Sequence, residues 1–550
     1  MNRFEQMLAA NRQKWNRHTD PTVPLHYDYP ALPLKHFFIH WANKHPQKPY
    51  LISAKGTISY SGANDIACRL ANALLSLGVH KGERVATIMA AIPESVLSFQ
   101  ALLKIGGIEV PFNDRSTSAD LCQRFADSQA ETAIAHACVL PKLLPLLDAP
   151  NYPLKRIICV DASTDNPLLD DSRHIYSYEK LIAGSASAEP EIIVTPQDVV
   201  RLQYTGGTTG VYKGCVLTNH MILVQAILTA MWYTSGYTVV DQDLIRTLCA
   251  IPLSHIYGFN ANINICLFTG GTIILSNSAK PQDILYWIQK ERPTLFAVVP
   301  KLLVNLLDNP DIEKADLSSL RGIFCGSAPL PLNIIERFER LTGGVIAEGY
   351  GMSEATCTIT VNPLCSTRKV GSVGIARPDT DLLIVDSLNG QEVMETNQLG
   401  EIIVRGSTII NEYWQNPAET KNAIHNGWLF TGDIGKLDED GYLFITGRKK
   451  DVINCSGLKV YPREVEEALY AIPQVLDACV LGIPDPKRGE TVKACIVLKK
   501  GEELTATQIM DCCKQSLMHY KVPTVVEFMA SMPQTAAGKV DRKKLLEMSR

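Results

Sequence analysis

Between residues 50 and 345, short runs of β-branched and apolar residues alternate with segments of helical periodicity, and this alternation constrains the fold more than any other feature. Arg84–Met89 precedes Ser95–Ile105, Thr218–Trp232 precedes Thr247–Leu253, and Thr294–Val299 precedes Pro300–Leu307. Such a rhythm places parallel strands beneath crossover helices, so the fold class is α/β. It runs twice, before and after residue 190, which predicts two packed βα subdomains. From Val370 to Arg448 short strands and Gly-Asp turns take over, as in Gly427-Trp-Leu-Phe-Thr-Gly-Asp433, and predict a β-rich lobe. The remainder reads as a separate α+β unit: a helix at Pro462–Tyr470, strands at Val475–Leu481 and Thr491–Leu498, and a helix opened by the capping box Thr505-x-x-Gln508. The charged run Gly447–Asp451 lies between the two patterns and sets the expected boundary, with a large domain at 1–448 and a small one at 449–550.

Charge and cysteine content exclude several function classes. Lys and Arg number 53 against 57 Asp and Glu, a net charge of -4, so no global positive field gathers nucleic acid or anionic lipid. The 15 cysteines are scattered, several inside apolar runs, and no spacing resembles a zinc site, so neither disulfides nor a structural metal is expected. The N-terminus carries no apolar segment of signal-peptide type, and a reducing cytoplasm fits best. Two uncharged stretches, Asn219–Val240 and Thr247–Ala279, are long enough to suggest membrane spans, but Gln225, Thr229, Pro252, Gly258, Gly270 and Gly271 interrupt them. Buried core is the better reading. Phe4, Met7, Leu8, Asn11 and Trp15 share one helical face, which could pack on the protein or skim a bilayer as a peripheral contact.

The first chemical motif is Tyr204-Thr-Gly-Gly-Thr-Thr-Gly-Val-Tyr-Lys-Gly214, between a strand and a helix capped by Thr218. Gly206, Gly207 and Gly210 let backbone approach an anion; Thr205, Thr208 and Thr209 add hydroxyls and Lys213 adds charge. It is not a Walker A loop, because Gly214 follows the lysine.

This segment resembles the signature of the acyl-adenylate-forming superfamily, and further matches follow in the family's order. They are Pro252-Leu-Ser-His255-Ile-Tyr-Gly258, Gly326-Ser-Ala-Pro329, Gly349-Tyr-Gly-Met-Ser-Glu354, Gly432-Asp433, Gly447-Arg448, Ser456-Gly-Leu-Lys-Val-Tyr-Pro462 and Gly538-Lys539, spread over some 340 residues. The resemblance is to the acyl-CoA synthetase branch that includes fatty-acid and coumarate-CoA ligases. It implies a carboxylic acid attacking the α-phosphate of ATP with Mg²⁺ present, followed by capture of the acyl adenylate by CoA. Two anions must be brought together, so cations and dipoles carry the catalysis.

On this resemblance Glu354 and Thr208 hold the metal, and Lys539, on a mobile loop of small residues, meets the reacting carboxylate and α-phosphate. Gly326, Ser327 and Ala328 form the adenine turn, and Glu348, Gly349, Tyr350, Gly351, Met352 and Ser353 complete the nucleotide wall. Asp433 and Arg448 take the ribose, and His255 gates the acid. Lys450 is the hinge about which the small, mobile domain turns; Gly457 and Lys459 serve CoA on its other face. The acyl pocket is assigned to Ile256, Tyr257, Asn260, Cys325, Gly349, Gly351, Met352 and Cys357. None of these is charged, which favours an apolar fatty or aryl tail. Acetate-activating relatives have Trp where this chain has Gly351, so the pocket floor is expected to be open. Tyr212 replaces the family's Pro and is expected to loosen the phosphate loop, whereas Glu412, before Tyr413-Trp414, reads as a surface variation. A carrier protein as acceptor, or a luciferase-like oxidation, would share the same motifs.

Overall fold

In the computed structural model, residues 3–163, 166–205, 212–235, 245–327, 330, 332–534 and 540–548 are described, and the βα alternation closes into two large sheets. The first has seven strands in the order Ile175–Ser177, Arg156–Val160, Thr132–His136, Arg84–Ile88, Ile108–Phe112, Val199–Thr205 and Lys213–Thr218. All neighbours run parallel except the last pair. The second has nine, with Val345–Met352, Gly322–Cys325, Leu295–Val298, Arg246–Cys249, Thr272–Leu275 and Pro49–Ser53 forming its parallel centre. The expected division near residue 190 is therefore crossed in both directions. Pro49–Ser53 pairs with Thr272–Leu275 in the second sheet, while Val199–Thr205 and Lys213–Thr218 extend the first.

Local chemistry sets the helices between these strands. Thr218 caps Asn219–Tyr233 by accepting the Met221 amide at 3.2 Å. That helix is almost wholly buried, including Gln225 and Thr229, which explains its uncharged sequence. Thr247–Ala279 breaks into the strand Arg246–Cys249, a helical stretch across Ile256–Thr269 and the strand Thr272–Leu275. No described helix is long and apolar enough to cross a membrane. The N-terminal helix Arg3–His18 buries Leu8, Asn11 and Trp15, and Trp15 donates to the Gly441 carbonyl at 2.9 Å. Its apolar face is thus spent on the chain itself, where a bilayer contact was the other reading.

Thr380–Val385, Gly400–Gly406, Ile424–His425, Trp428–Leu437 and Leu443–Arg448 form the β-rich lobe, an antiparallel sheet of five strands. Leu443–Arg448 ends it, and the next strand, Ile453–Cys455, already belongs to another sheet, with Leu458–Val460, Val475–Asp485, Gly489–Leu498 and Val525–Phe528. Helix Pro462–Tyr470 packs on that sheet through Val465 and Leu469. The Thr505–Gln508 capping box opens Ala506–Lys514, with both reciprocal bonds present.

Candidate active site

The antiparallel pair Val199–Thr205 and Lys213–Thr218 sets Thr205 opposite Lys213 at the mouth of the Gly/Thr-rich segment. Gly206, Gly207, Thr208, Thr209 and Gly210 themselves lie outside the described residues, as do Ala328 and Lys539. Both stems of the segment are tied to one helix, Ser118–Ser128: the Tyr204 hydroxyl donates to Asp127, and the Tyr212 hydroxyl to Asp120 at 2.6 Å. Arg124, between those acids, lies 4.2 Å from the Tyr212 ring centroid. Tyr212 is thereby held by a charge-assisted bond and a cation–π contact that the family's proline could not make, while the rest of its segment lies outside the described residues. Lys213 is paired with Glu419 and lies over the Tyr413 ring, 5.3 Å from its centroid.

Glu354 occupies a short turn after Val345–Met352 that is closed by left-handed backbone at Thr356. Its carboxylate is buried and accepts a 2.9 Å hydrogen bond from the Tyr413 hydroxyl. Burial pushes the Glu354 carboxyl above its ordinary range, against the pull of that bond and of Arg448 and Lys213. A buried hard-oxygen donor whose ionised form needs positive charge fits Mg²⁺. Tyr413 was missed as a functional candidate although its motif was noticed. It is brought there because Glu412–Trp414 docks on Lys213–Thr218, with Tyr413 bridging Cys215 and the Trp414 amide donating to the Gly214 carbonyl at 2.7 Å. Glu412 itself is exposed.

Asp433 and Arg448 face each other across adjacent strands, with Nε 3.0 Å from Oδ1. The Tyr350 hydroxyl donates to the other carboxylate oxygen at 2.6 Å. Burial would lower Arg448, but Asp433, Tyr350 and Glu354 together carry it the other way. This links three motifs separated in sequence. Gly326 and Gly349 come together as well: a side-chain carbon on Gly326 would lie 3.7 Å from the Gly349 carbonyl and 3.8 Å from the Tyr257 ring. Ser327 beside it is left-handed at φ 74°. Glu348 is buried, is pushed upward by that burial, and accepts the Leu330 amide at 3.3 Å. Met352 and Ser353 are half-buried next to Glu354.

Of the residues assigned to the acid channel, Ile256, Asn260, Cys325 and Cys357 are buried. Tyr257 is fixed by its hydroxyl to the Phe324 and Val298 carbonyls, at 2.6 and 3.2 Å. His255 caps the turn, its Nδ1 accepting the Tyr257 amide at 3.2 Å. Gly351 is itself exposed, and a side chain there would meet backbone. A Cβ there would lie 1.6 Å from the Cys357 carbonyl oxygen, so the neighbouring strand's backbone already fills that space. In the last unit, Ser456 and Gly457 make a two-residue turn at φ 55° and 85°, and nothing lies within 4 Å of a Cβ on Gly457. Lys459 reaches Ser387 at 3.4 Å, and Lys450, held below its ordinary range by burial, sits in the turn between the two sheets.

A family model described as AMP-binding enzyme matches residues 38–414, and one described as AMP-binding enzyme C-terminal domain matches residues 464–539. The chain is 33% identical to a long-chain-fatty-acid–CoA ligase of Bacillus subtilis, with 98% of each chain covered. It is 30% identical to 4-coumarate-CoA ligase 1 of Narcissus pseudonarcissus, over 94% of this chain and 93% of that one. Among solved structures, ATP-bound MatB from Rhodopseudomonas palustris is similar at a TM-score of 0.85 and 27% identity, covering 94% of this chain and 99% of that one. An anthranilate CoA ligase, AuaEII, in complex with anthranoyl-AMP, gives 0.85 at 26%, covering 96% and 98%. The chain belongs to the AMP-binding enzyme family.

Proposed function

We propose that the chain is an ATP-dependent acyl-CoA synthetase that converts a fatty or aryl carboxylic acid, ATP and CoA to acyl-CoA, AMP and diphosphate through an acyl adenylate. The observation that carries this reading is the convergence of Glu354, Tyr413, Asp433, Tyr350 and Arg448 on one wall, beside the Thr205–Lys213 pair. Asp433 offers a carboxylate to both ribose hydroxyls, and Arg448 extends a fork toward ribose or phosphate. Glu354 would hold Mg²⁺, which would supply positive charge to offset that of the phosphates. Lys213, exchanging Glu419 for phosphate, and Lys539 meet the remaining charge, while His255 and Tyr257 orient the acid.

The large domain is assigned to residues 1–448 and the small one to 449–550, with Lys450 as the hinge between an adenylating and a thioester-forming arrangement. The change of sheet between Arg448 and Ile453 supports this division. Gly457 and Lys459 then serve CoA. A cytoplasmic location is supported by the cysteines, all 15 of which are free. A screen of pyrophosphate release over fatty, cinnamic and benzoic acids, with and without CoA, tests the reading. Release without any thioester product would point to another acceptor, and no release from any acid would refute it.

A further inference from the structure

Arg377 follows the edge strand Ile375–Ala376 and is 2% exposed. A guanidinium so buried is ordinarily matched by a carboxylate, because an uncompensated charge is costly away from water. Arg377 makes no ion pair with a described carboxylate. Its partners are neutral: Nη2 donates to Gln225 Oε1 at 2.7 Å and to the Thr358 carbonyl, while Nη1 reaches Thr229 Oγ1 only at 3.5 Å. That last contact is longer than an ordinary hydrogen bond. Nε has no partner. Burial lowers Arg377 to about 10, which leaves it protonated at neutral pH. The acidic groups facing it stay neutral, because burial pushes the Cys357 thiol up to about 11 and raises the Tyr29 and Tyr233 phenols further.

This charge ends a buried polar chain that begins in the acid channel. Asn260 donates to Thr229 Oγ1 at 3.0 Å, and Arg377 Nη1 lies 3.5 Å from the same oxygen. The Cys357 thiol is acted on by both Asn260 and Arg377. Asn260 also lies in a π-helical segment, Phe259–Asn264, a distortion that recurs at functional sites. A wall built for an alkyl tail alone would have no use for a cation with spare donors.

We infer that Arg377 is a specificity-determining residue, and that the end of the acyl pocket at Asn260 and Cys357 receives a second carboxylate of the acid, remote from the one that is adenylated. The inference rests on the synthetase reading above. The remote carboxylate does not react; it supplies the charge and acceptors that the guanidinium lacks, in the forked geometry that suits arginine.

The test compares matched acids on the intact enzyme: straight-chain monocarboxylates against α,ω-dicarboxylates of equal length, and cinnamate against 4-carboxycinnamate. Wild type should favour the dicarboxylate of the best pair by about tenfold or more in kcat/KM, mainly through KM. Arg377→Leu should erase or reverse that preference, and Arg377→Lys should keep part of it. A wild type that prefers the monocarboxylate in every pair overturns the inference, whether or not Arg377→Leu folds. So does an Arg377→Leu enzyme that folds and retains the wild-type preference. Absence of pyrophosphate release from any acid sinks the synthetase reading instead, and the two failures are distinguishable.

Discussion

The Tyr413 hydroxyl donates a 2.9 Å hydrogen bond to Oε1 of Glu354, across 59 residues of sequence. Through this bond the connection between the lobe strands Gly400–Gly406 and Ile424–His425 joins a site whose other groups come from the two large sheets and, at Asp433 and Arg448, from the β-rich lobe itself. Tyr413→Phe removes the donor but keeps the ring under Lys213. It is expected to cost about 1 kcal/mol in adenylation, roughly fivefold, and to raise the Glu354 carboxyl further. The acid limb of the adenylation pH profile should move to higher pH. An unmoved limb would separate Tyr413 from the function of Glu354.

Glu354 also makes a stability prediction. Burial holds its folded pKa above the ordinary 4.5. The contribution of the neutral acid is therefore complete below that value and lost as pH rises through the folded pKa. Glu354→Gln is neutral throughout, so without metal or nucleotide it should melt with wild type in acid and increasingly above it as pH rises past 4.5. Adenylation should fall by about a hundredfold or more. Melting curves across pH in EDTA check the first part; a variant less stable than wild type at neutral pH refutes it.

Asp433→Ala should weaken ATP by about ten- to a hundredfold, the range expected for charge-assisted hydrogen bonds to two hydroxyls. The loss should vanish with 2′,3′-dideoxy-ATP, on which variant and wild type should bind alike by calorimetry. A variant equally impaired with both nucleotides would mean that Asp433 acts only by holding Arg448 and Tyr350 in place.

The strands and helices were legible because apolar periodicity is a local property: Pro300–Leu307 and Pro462–Tyr470 run where the pattern put them. Sheet membership was not, since nothing near Pro49–Ser53 records that its partner is Thr272–Leu275, more than 200 residues on. The site divides the same way. Glu354, Asp433 and Arg448 stand in recognisable motifs, whereas Tyr413 and Arg377 gain meaning only from what the fold lays beside them. Nor does the sequence say what stands where a side chain on Gly351 would go, which the fold fills with the Cys357 backbone.

Lys539 and Lys450 should separate the two half-reactions. Lys539→Ala is expected to abolish acyl-adenylate formation while thioester formation from supplied acyl adenylate and CoA continues, because the lysine is assigned to the point where two anions meet. Lys450→Pro should do the reverse, since proline fixes φ near −65° and a hinge must adopt two conformations. Stopped-flow measurement of each half-reaction checks both. Equal loss of the two in Lys539→Ala, or wild-type rates in Lys450→Pro, would count against the assigned roles.

Gly351 and Gly349 lie on the same strand and give a matched pair of substitutions. A Cβ on Gly351 would sit 1.6 Å from the Cys357 carbonyl oxygen and 2.8 Å from the Thr358 Cα, all backbone, so nothing can rotate aside. On Gly349 it would sit 3.1 Å from the Thr360 carbonyl and otherwise in ordinary contact. Overpacking against backbone costs typically about 1–3 kcal/mol and more where no relaxation is open. Gly351→Ala is therefore expected to lose at least about 3 kcal/mol, with Glu354 displaced and adenylation lost, and Gly349→Ala about 1 kcal/mol or less. For the same reason Gly351→Trp should misfold locally and not convert the enzyme to acetate. Denaturant unfolding of both alanine variants decides the matter. A Gly351→Ala protein as stable as wild type would show that the Cys357–Thr358 backbone can yield.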